Sequence, residues 1–160
     1  MIEPVEIGAA AVVGALRRHG LTIAVAESLT GGLLIAELIS VPGASAVVRG
    51  GVVAYATELK AELLGVDAAL LAASGAIHPE VARQMASGVR ARLGADIGIS
   101  TTGVAGPDPQ DGHEPGEVWL GFAVGEEVSA VGLALGGDRG TIRRDTVSES
   151  LSRLRLLLPE

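Results

Sequence analysis

Residues 21–34 read LTIAVAESLTGGLL, and no other stretch constrains the fold as tightly. Leu21, Ile23, Ala24, Val25 and Ala26 form a short apolar run that suits a strand buried on both faces. Leu33, Leu34, Ile35, Ala36, Leu38 and Ile39 read as the apolar side of a helix. Glu27-Ser28-Leu29-Thr30-Gly31-Gly32 joins the two. A strand feeding a helix through such a turn places it at the carboxyl end of a sheet, where open α/β sheets bind ligands. The helix N-terminus adds free N–H groups and favours negative charge. Ser28 therefore stands where a nucleophile is useful. Thr30, Gly31 and Gly32 stand where backbone donors can meet an oxyanion or a phosphate. The same residues also fit a plain Ser/Thr cap on a tight turn, and the local sequence leaves both readings open.

The remaining chain alternates in the same manner. Residues 4–19 read as a first helix, with Ile7, Ala11 and Ala15 at helical spacing and Gly20 ending it. A second strand is expected from Val47 to Tyr55, where Gly50 and Gly51 suggest a bulge or a close approach. Thr57 is a candidate cap for a short helix to Leu64, and Asp67 for another over residues 68–73. Val81, Met85, Val89 and Leu93 recur four apart and mark the clearest amphipathic helix, with His78 at or before its start. A third strand is expected over residues 95–100. It opens into a long small-residue loop, residues 101–116, that matches neither the dinucleotide fingerprint nor the P-loop. A strand pair follows at residues 117–124 and 128–135. The closing helix has Asp138 as its expected cap and Val147, Leu151, Leu154 and Leu158 as its apolar stripe. The order predicts one domain over residues 1–160. Its architecture is a three-layer α/β/α sandwich around a mixed, mainly parallel sheet of about five strands.

Composition narrows the chemistry. The net charge of −7 argues against nonspecific nucleic-acid binding, which needs a basic face. No apolar run approaches the roughly 18 residues of a membrane span, and no signal-peptide pattern is seen, so a cytoplasmic protein is expected. The absence of cysteine excludes disulfides and thiolate zinc sites. Of 12 basic residues only Lys60 is a lysine. Arginine keeps its proton at any useful pH, whereas a desolvated lysine can lose it. A lone lysine in an arginine-biased chain thus suits a place where deprotonation matters.

These features combine into a serine hydrolase without a histidine base. Ser28 would be the nucleophile and Lys60 the base that takes its proton. Tyr55, at the end of the second strand, could orient either residue or relay a proton. The N–H groups of residues 29–32 would form an oxyanion hole. Arg139 and Arg143 oppose the dipole of the helix they begin, so their charge serves something other than helix stability. With the loop around Thr102, Gly103 and Gly106 they would hold an anionic substrate. No metal and no cofactor is called for.

The motifs A-E-S-L-T-G-G at 26–32, R-G-G-V-V-A-Y-A-T-E-L-K at 49–60, T-G-V-A-G-P at 102–107 and G-D-R-G-T-I-R at 137–143 resemble the CinA C-terminal domain family. That family includes the nicotinamide-nucleotide amidohydrolases, or NMN deamidases. The resemblance implies metal-free hydrolysis of the nicotinamide amide of NMN by water, giving nicotinate mononucleotide and ammonia in pyridine-nucleotide recycling. It implies Ser28 and Lys60 as the dyad, Tyr55 as the accompanying tyrosine, and Thr102 with the arginines as substrate-holding residues. It also implies a homo-oligomer, most simply a dimer. Many relatives carry a further N-terminal domain resembling molybdopterin-binding proteins. The segment 108–115 departs from the glycine-rich loop expected in many relatives. Two alternatives stand beside the amidohydrolase. One is a non-catalytic nucleotide-binding regulatory module, the other a serine amidase for another small anionic amide.

Overall fold

The computed structural model describes residues 8–160. The start of the expected first helix, from Pro4 through Ile7, lies outside the described residues. Within them the order is α1 (Ala9–His19), β1 (Ile23–Glu27), α2 (Leu33–Ile39), a 3-10 turn (Ala44–Ala46), β2 (Val48–Val53), α3 (Thr57–Leu64), α4 (Ala68–Ser74), α5 (Pro79–Leu93), β3 (Ile97–Gly103), β4 (Glu117–Val124), β5 (Glu127–Ala134) and α6 (Arg139–Leu157).

The five strands form one sheet in the order β2-β1-β3-β4-β5. β1 pairs parallel with β2 and β3, while β4 pairs antiparallel with β3 and β5. The sheet is mixed and mainly parallel, as expected: β1, β2, β3 and β5 run in one direction and β4 runs against them. The reason lies in the connection after β3: residues 104–116 contain no helix to carry the chain back, so β4 returns alongside β3.

Strand alternation distributes the core. Ile23, Val25, Ile97, Ile99, Leu120 and Phe122 pack with α1, α2 and α6 on one face. Ala24 and Ala26 pack with Leu64, Leu71, Val81, Met85 and Val89 from α3, α4 and α5 on the other. Both faces of β1 are covered, which is why it reads as an unbroken apolar run. α5 lies unusually close to the sheet. A Cβ at Gly98 or Gly121 would collide with the carbonyl oxygens of Ala86 or Ala82. The Ser100 hydroxyl donates to Ala82 O at 2.6 Å in the space so left.

The Gly50-Gly51 pair serves both expected purposes. The β1–β2 register shifts so that Ile23 faces Val48 while Ala24 faces Gly50, which makes Arg49 the bulged residue. At Gly51 a Cβ would collide with Val25 and Ile35. The caps at Asp67 and Asp138 form as expected, accepting from Ala69 and Thr141 N–H, and His78 caps α5 by accepting from Glu80 N–H. Thr57 is instead the first residue of α3, and the N-cap is Ala56 with no side-chain bond. Among the described residues no helix is long and apolar enough to cross a membrane.

Candidate active site

The site is built at the carboxyl ends of β1, β2 and β3. β1 delivers Glu27 and Ser28 to the sheet edge, and Ser28 N–H donates to Thr101 O on β3 at 3.1 Å. β2 ends early, at Val53 rather than Tyr55. Ala54 N–H still donates to Glu27 O, but the carbonyls of Ala54 and Tyr55 turn to a side chain. That side chain is Lys60, which reaches back from α3. Its Nζ lies 2.7 Å from Ala54 O, 3.3 Å from Tyr55 O and 3.0 Å from Ser28 Oγ. Lys60 is 1 % exposed and Ser28 7 %.

Burial lowers the Lys60 pKa from 10.5 to about 8, against an opposing pull from the nearby Glu58 carboxylate. The three oxygens suit both protonation states. An ammonium donates to all three. A neutral amine donates to the two carbonyls and presents its lone pair to the Ser28 hydroxyl, the arrangement that accepts a proton from a nucleophile.

Glu27 carries a role that the sequence reading did not assign. Its side chain is buried, and Oε1 accepts from Gly32 and Leu34 N–H while Oε2 accepts from Ile35 N–H. The carboxylate thus occupies the N-terminus of α2, the place expected to meet a substrate phosphate. This corrects the expected role of Gly31 and Gly32. Gly31 N–H donates to Ser28 O and Gly32 N–H to Glu27, and both glycines hold positive φ, 55° and 107°, that shape the turn. Thr30 is buried, with its hydroxyl 2.8 Å from that of Thr101. Among the described residues, the Leu29 and Thr30 N–H groups have no protein acceptor, so the turn retains two free donors beside Ser28. A charged residue between an apolar strand and a Gly-Gly turn was the available signal for Glu27, but an acid in a turn reads as solvated.

A cavity of about 390 Å³ opens onto Ser28. Tyr55, Ile77, Thr102, Gly103, Gly106 and Arg139 line it, together with Asp108, Pro109 and Gln110 from the long loop. Thr102 donates its hydroxyl proton to Ala76 O at 2.8 Å. The two arginines separate. Arg139 lines the cavity and donates to Gly106 O (2.6 Å) and to the Tyr55 hydroxyl (3.2 Å). Arg143 lies beneath the turn, donating from Nε to Leu29 O (2.8 Å) and from Nη2 to Thr30 O (3.1 Å). The Tyr55 ring is exposed and its hydroxyl meets Arg139, not Ser28 or Lys60; only its carbonyl touches the lysine. The three histidines are engaged elsewhere, His19 with Glu160 O, His78 with Glu80 N–H and His113 with Glu117. Among the described residues no cluster of acidic or histidine side chains could hold a metal ion.

Residues 6–158 match the family model described as the CinA C-terminal domain. The chain is 50% identical over 147 residues to a CinA-like protein of Frankia casuarinae, covering 92% of this chain and 34% of that protein. It is 53% identical over 129 residues to a putative competence-damage inducible protein of Geobacillus kaustophilus, covering 80% and 31%. The chain therefore spans about a third of the length of these curated relatives. Among solved structures it resembles competence damage-inducible protein A of Klebsiella pneumoniae, at 34% identity and a TM-score of 0.90 over 92% of both chains. It also resembles the competence/damage inducible protein of Agrobacterium tumefaciens, at 33% identity and a TM-score of 0.89 over 98% of both.

Proposed function

The chain belongs to the CinA C-terminal domain family, and from that premise we propose that it is a Ser/Lys amidohydrolase whose substrate is nicotinamide mononucleotide. The observation that carries the reading is the 3.0 Å contact between Ser28 Oγ and a buried Lys60 whose pKa is lowered to about 8. A buried lysine bonded otherwise to two neutral carbonyls has no carboxylate hydrogen-bonded to it, the pull of Glu58 is outweighed by burial, and its side-chain hydrogen-bond partner is a hydroxyl.

In this reading neutral Lys60 takes the Ser28 proton as Oγ attacks the amide carbon. The oxyanion forms beside the free N–H groups of Leu29 and Thr30. Lys60 then returns the proton to the departing nitrogen, ammonia leaves, and an acyl ester remains on Ser28. Water, deprotonated by Lys60, attacks that ester, and the proton returns to Ser28 Oγ as the acid is released. One amide and one water give one carboxylic acid and one ammonia. Arg139 supplies the positive charge of the cavity for an anionic phosphate.

The test is ammonia release from NMN by purified protein in EDTA, beside Lys60→Arg. Release by the wild type with none by the variant is the expected result. Binding of NMN without release would favour a nucleotide-binding module instead.

A further inference from the structure

The cavity over Ser28 carries two opposite charges that do not neutralise each other. Arg139 and Asp108 are its charged lining residues. Arg139 donates to a carbonyl and a phenol, both neutral, and makes no ion pair within 4.0 Å among the described residues. Asp108 likewise makes no ion pair among them, although it shares the same cavity with an arginine. Ion pairing among the described residues is local, between Glu80 and Arg83, His113 and Glu117, and Glu149 and Arg153.

The loop that carries Asp108 is held in place. Gln110 and His113 exchange backbone hydrogen bonds of 3.0 and 2.8 Å across Asp111-Gly112. Both turn residues have positive φ, as a tight hairpin requires. His113 is anchored to Glu117 at the start of β4 at 2.8 Å. On the other side Arg139 fixes the Gly106 carbonyl. Asp108 therefore sits between two tied points.

Resting on the amidohydrolase reading, we propose that Asp108 is a specificity residue that recognises positive charge on the substrate's ring, while Arg139 receives its anionic group. Separated opposite charges in one cavity complement a ligand with the same separation reversed. An oxidised pyridinium nucleotide is such a ligand, since its quaternary ring nitrogen is cationic and its phosphate anionic. The dihydropyridine form keeps the phosphate and amide but has a neutral ring. Asp108 would then favour the oxidised nucleotide over the reduced one. Its carboxylate is solvent-exposed, so the effect is modest and screened by salt.

The experiment compares dissociation constants of NMN and dihydronicotinamide mononucleotide by calorimetry at low salt. It uses Ser28→Ala protein, so that neither ligand is consumed, with and without Asp108→Asn. Expected is a loss of about threefold to tenfold for NMN on removing the carboxylate, shrinking at 0.5 M salt, with the reduced nucleotide changed less than about twofold. Equal weakening of both ligands would mean that Asp108 only shapes the loop, and no change in either would remove it from recognition. Either result overturns the proposal while leaving NMN hydrolysis intact. If protein with an intact Ser28 releases no ammonia from NMN, the amidohydrolase reading fails and this one falls with it.

Discussion

Lys60 Nζ lies 3.0 Å from the Oγ of Ser28, which lines the cavity, and Lys60 is the chain's only lysine. Its titration is therefore visible without assignment. Protein labelled with ¹³C-lysine should give one side-chain signal that moves with a midpoint near pH 8 rather than 10.5. Because the active form is the neutral amine, kcat/KM should rise with pH through the same midpoint and level off above it. Lys60→Arg keeps the charge and removes the titration, so turnover should fall on the order of a thousandfold. A midpoint near 10.5, or an arginine variant within tenfold of wild type, would end the lysine-base mechanism.

The same shift has a consequence for stability. The folded state holds the Lys60 proton more weakly than the unfolded chain. Below pH 8 both states are protonated and folding bears the full cost of burying the charge. Between pH 8 and 10.5 the unfolded chain keeps a proton that the folded one has lost, so stability rises with pH. The total gain is about 3 kcal/mol and is complete above 10.5. Lys60→Met should lack this rise. Urea unfolding of both proteins at a series of alkaline pH values measures the difference in slope, and parallel curves would contradict it.

Glu27 should prove costlier to alter than its place in a turn suggests. Three backbone N–H groups donate to its buried carboxylate. Glu27→Ala leaves all three without an acceptor, with an expected loss of about 2–4 kcal/mol. Glu27→Gln keeps the volume but turns an amide NH₂ toward backbone donors, for about 1–3 kcal/mol. Chemical denaturation reads both. A glutamine variant as stable as wild type would show that the carboxylate's second oxygen is dispensable.

These effects mark what the sequence carries openly. Ser28 and Lys60 are legible because each breaks a local habit, a polar turn after a buried strand and a lysine among arginines. The β1 strand and α5 are legible because their periodicity is fixed by which faces are covered. The direction of β4 is not, since a loop of small residues says nothing of where it returns. Gly98 and Gly121 look like weak strand positions until α5 is seen against them. Arg139 and Arg143 are equivalent in sequence, both in the first turns of α6, and only the crossing of that helix over the Ser28 turn assigns one to the cavity and one beneath it.

That division predicts different kinetics for the two arginines. Arg139 lines the cavity and, among the described residues, touches only neutral acceptors, leaving its charge for the substrate. If it holds phosphate equally in ground and transition states, Arg139→Ala should raise KM about tenfold or more with kcat nearly unchanged. Arg143 instead grips Leu29 O and Thr30 O. Those carbonyls fix the peptide planes on either side of Thr30, and the Leu29–Thr30 plane carries the free Thr30 N–H, so losing the grip lets that donor drift from where an oxyanion forms. Arg143→Ala should lower kcat by about a hundredfold, the scale of losing one oxyanion donor, and leave KM within a few fold. Arg143→Lys should recover little, because one ammonium cannot reproduce the two-nitrogen grip on adjacent carbonyls. Steady-state kinetics on the three variants separates the roles. A KM effect at Arg143 with kcat intact would return that residue to substrate binding and leave the Thr30 donor without its brace.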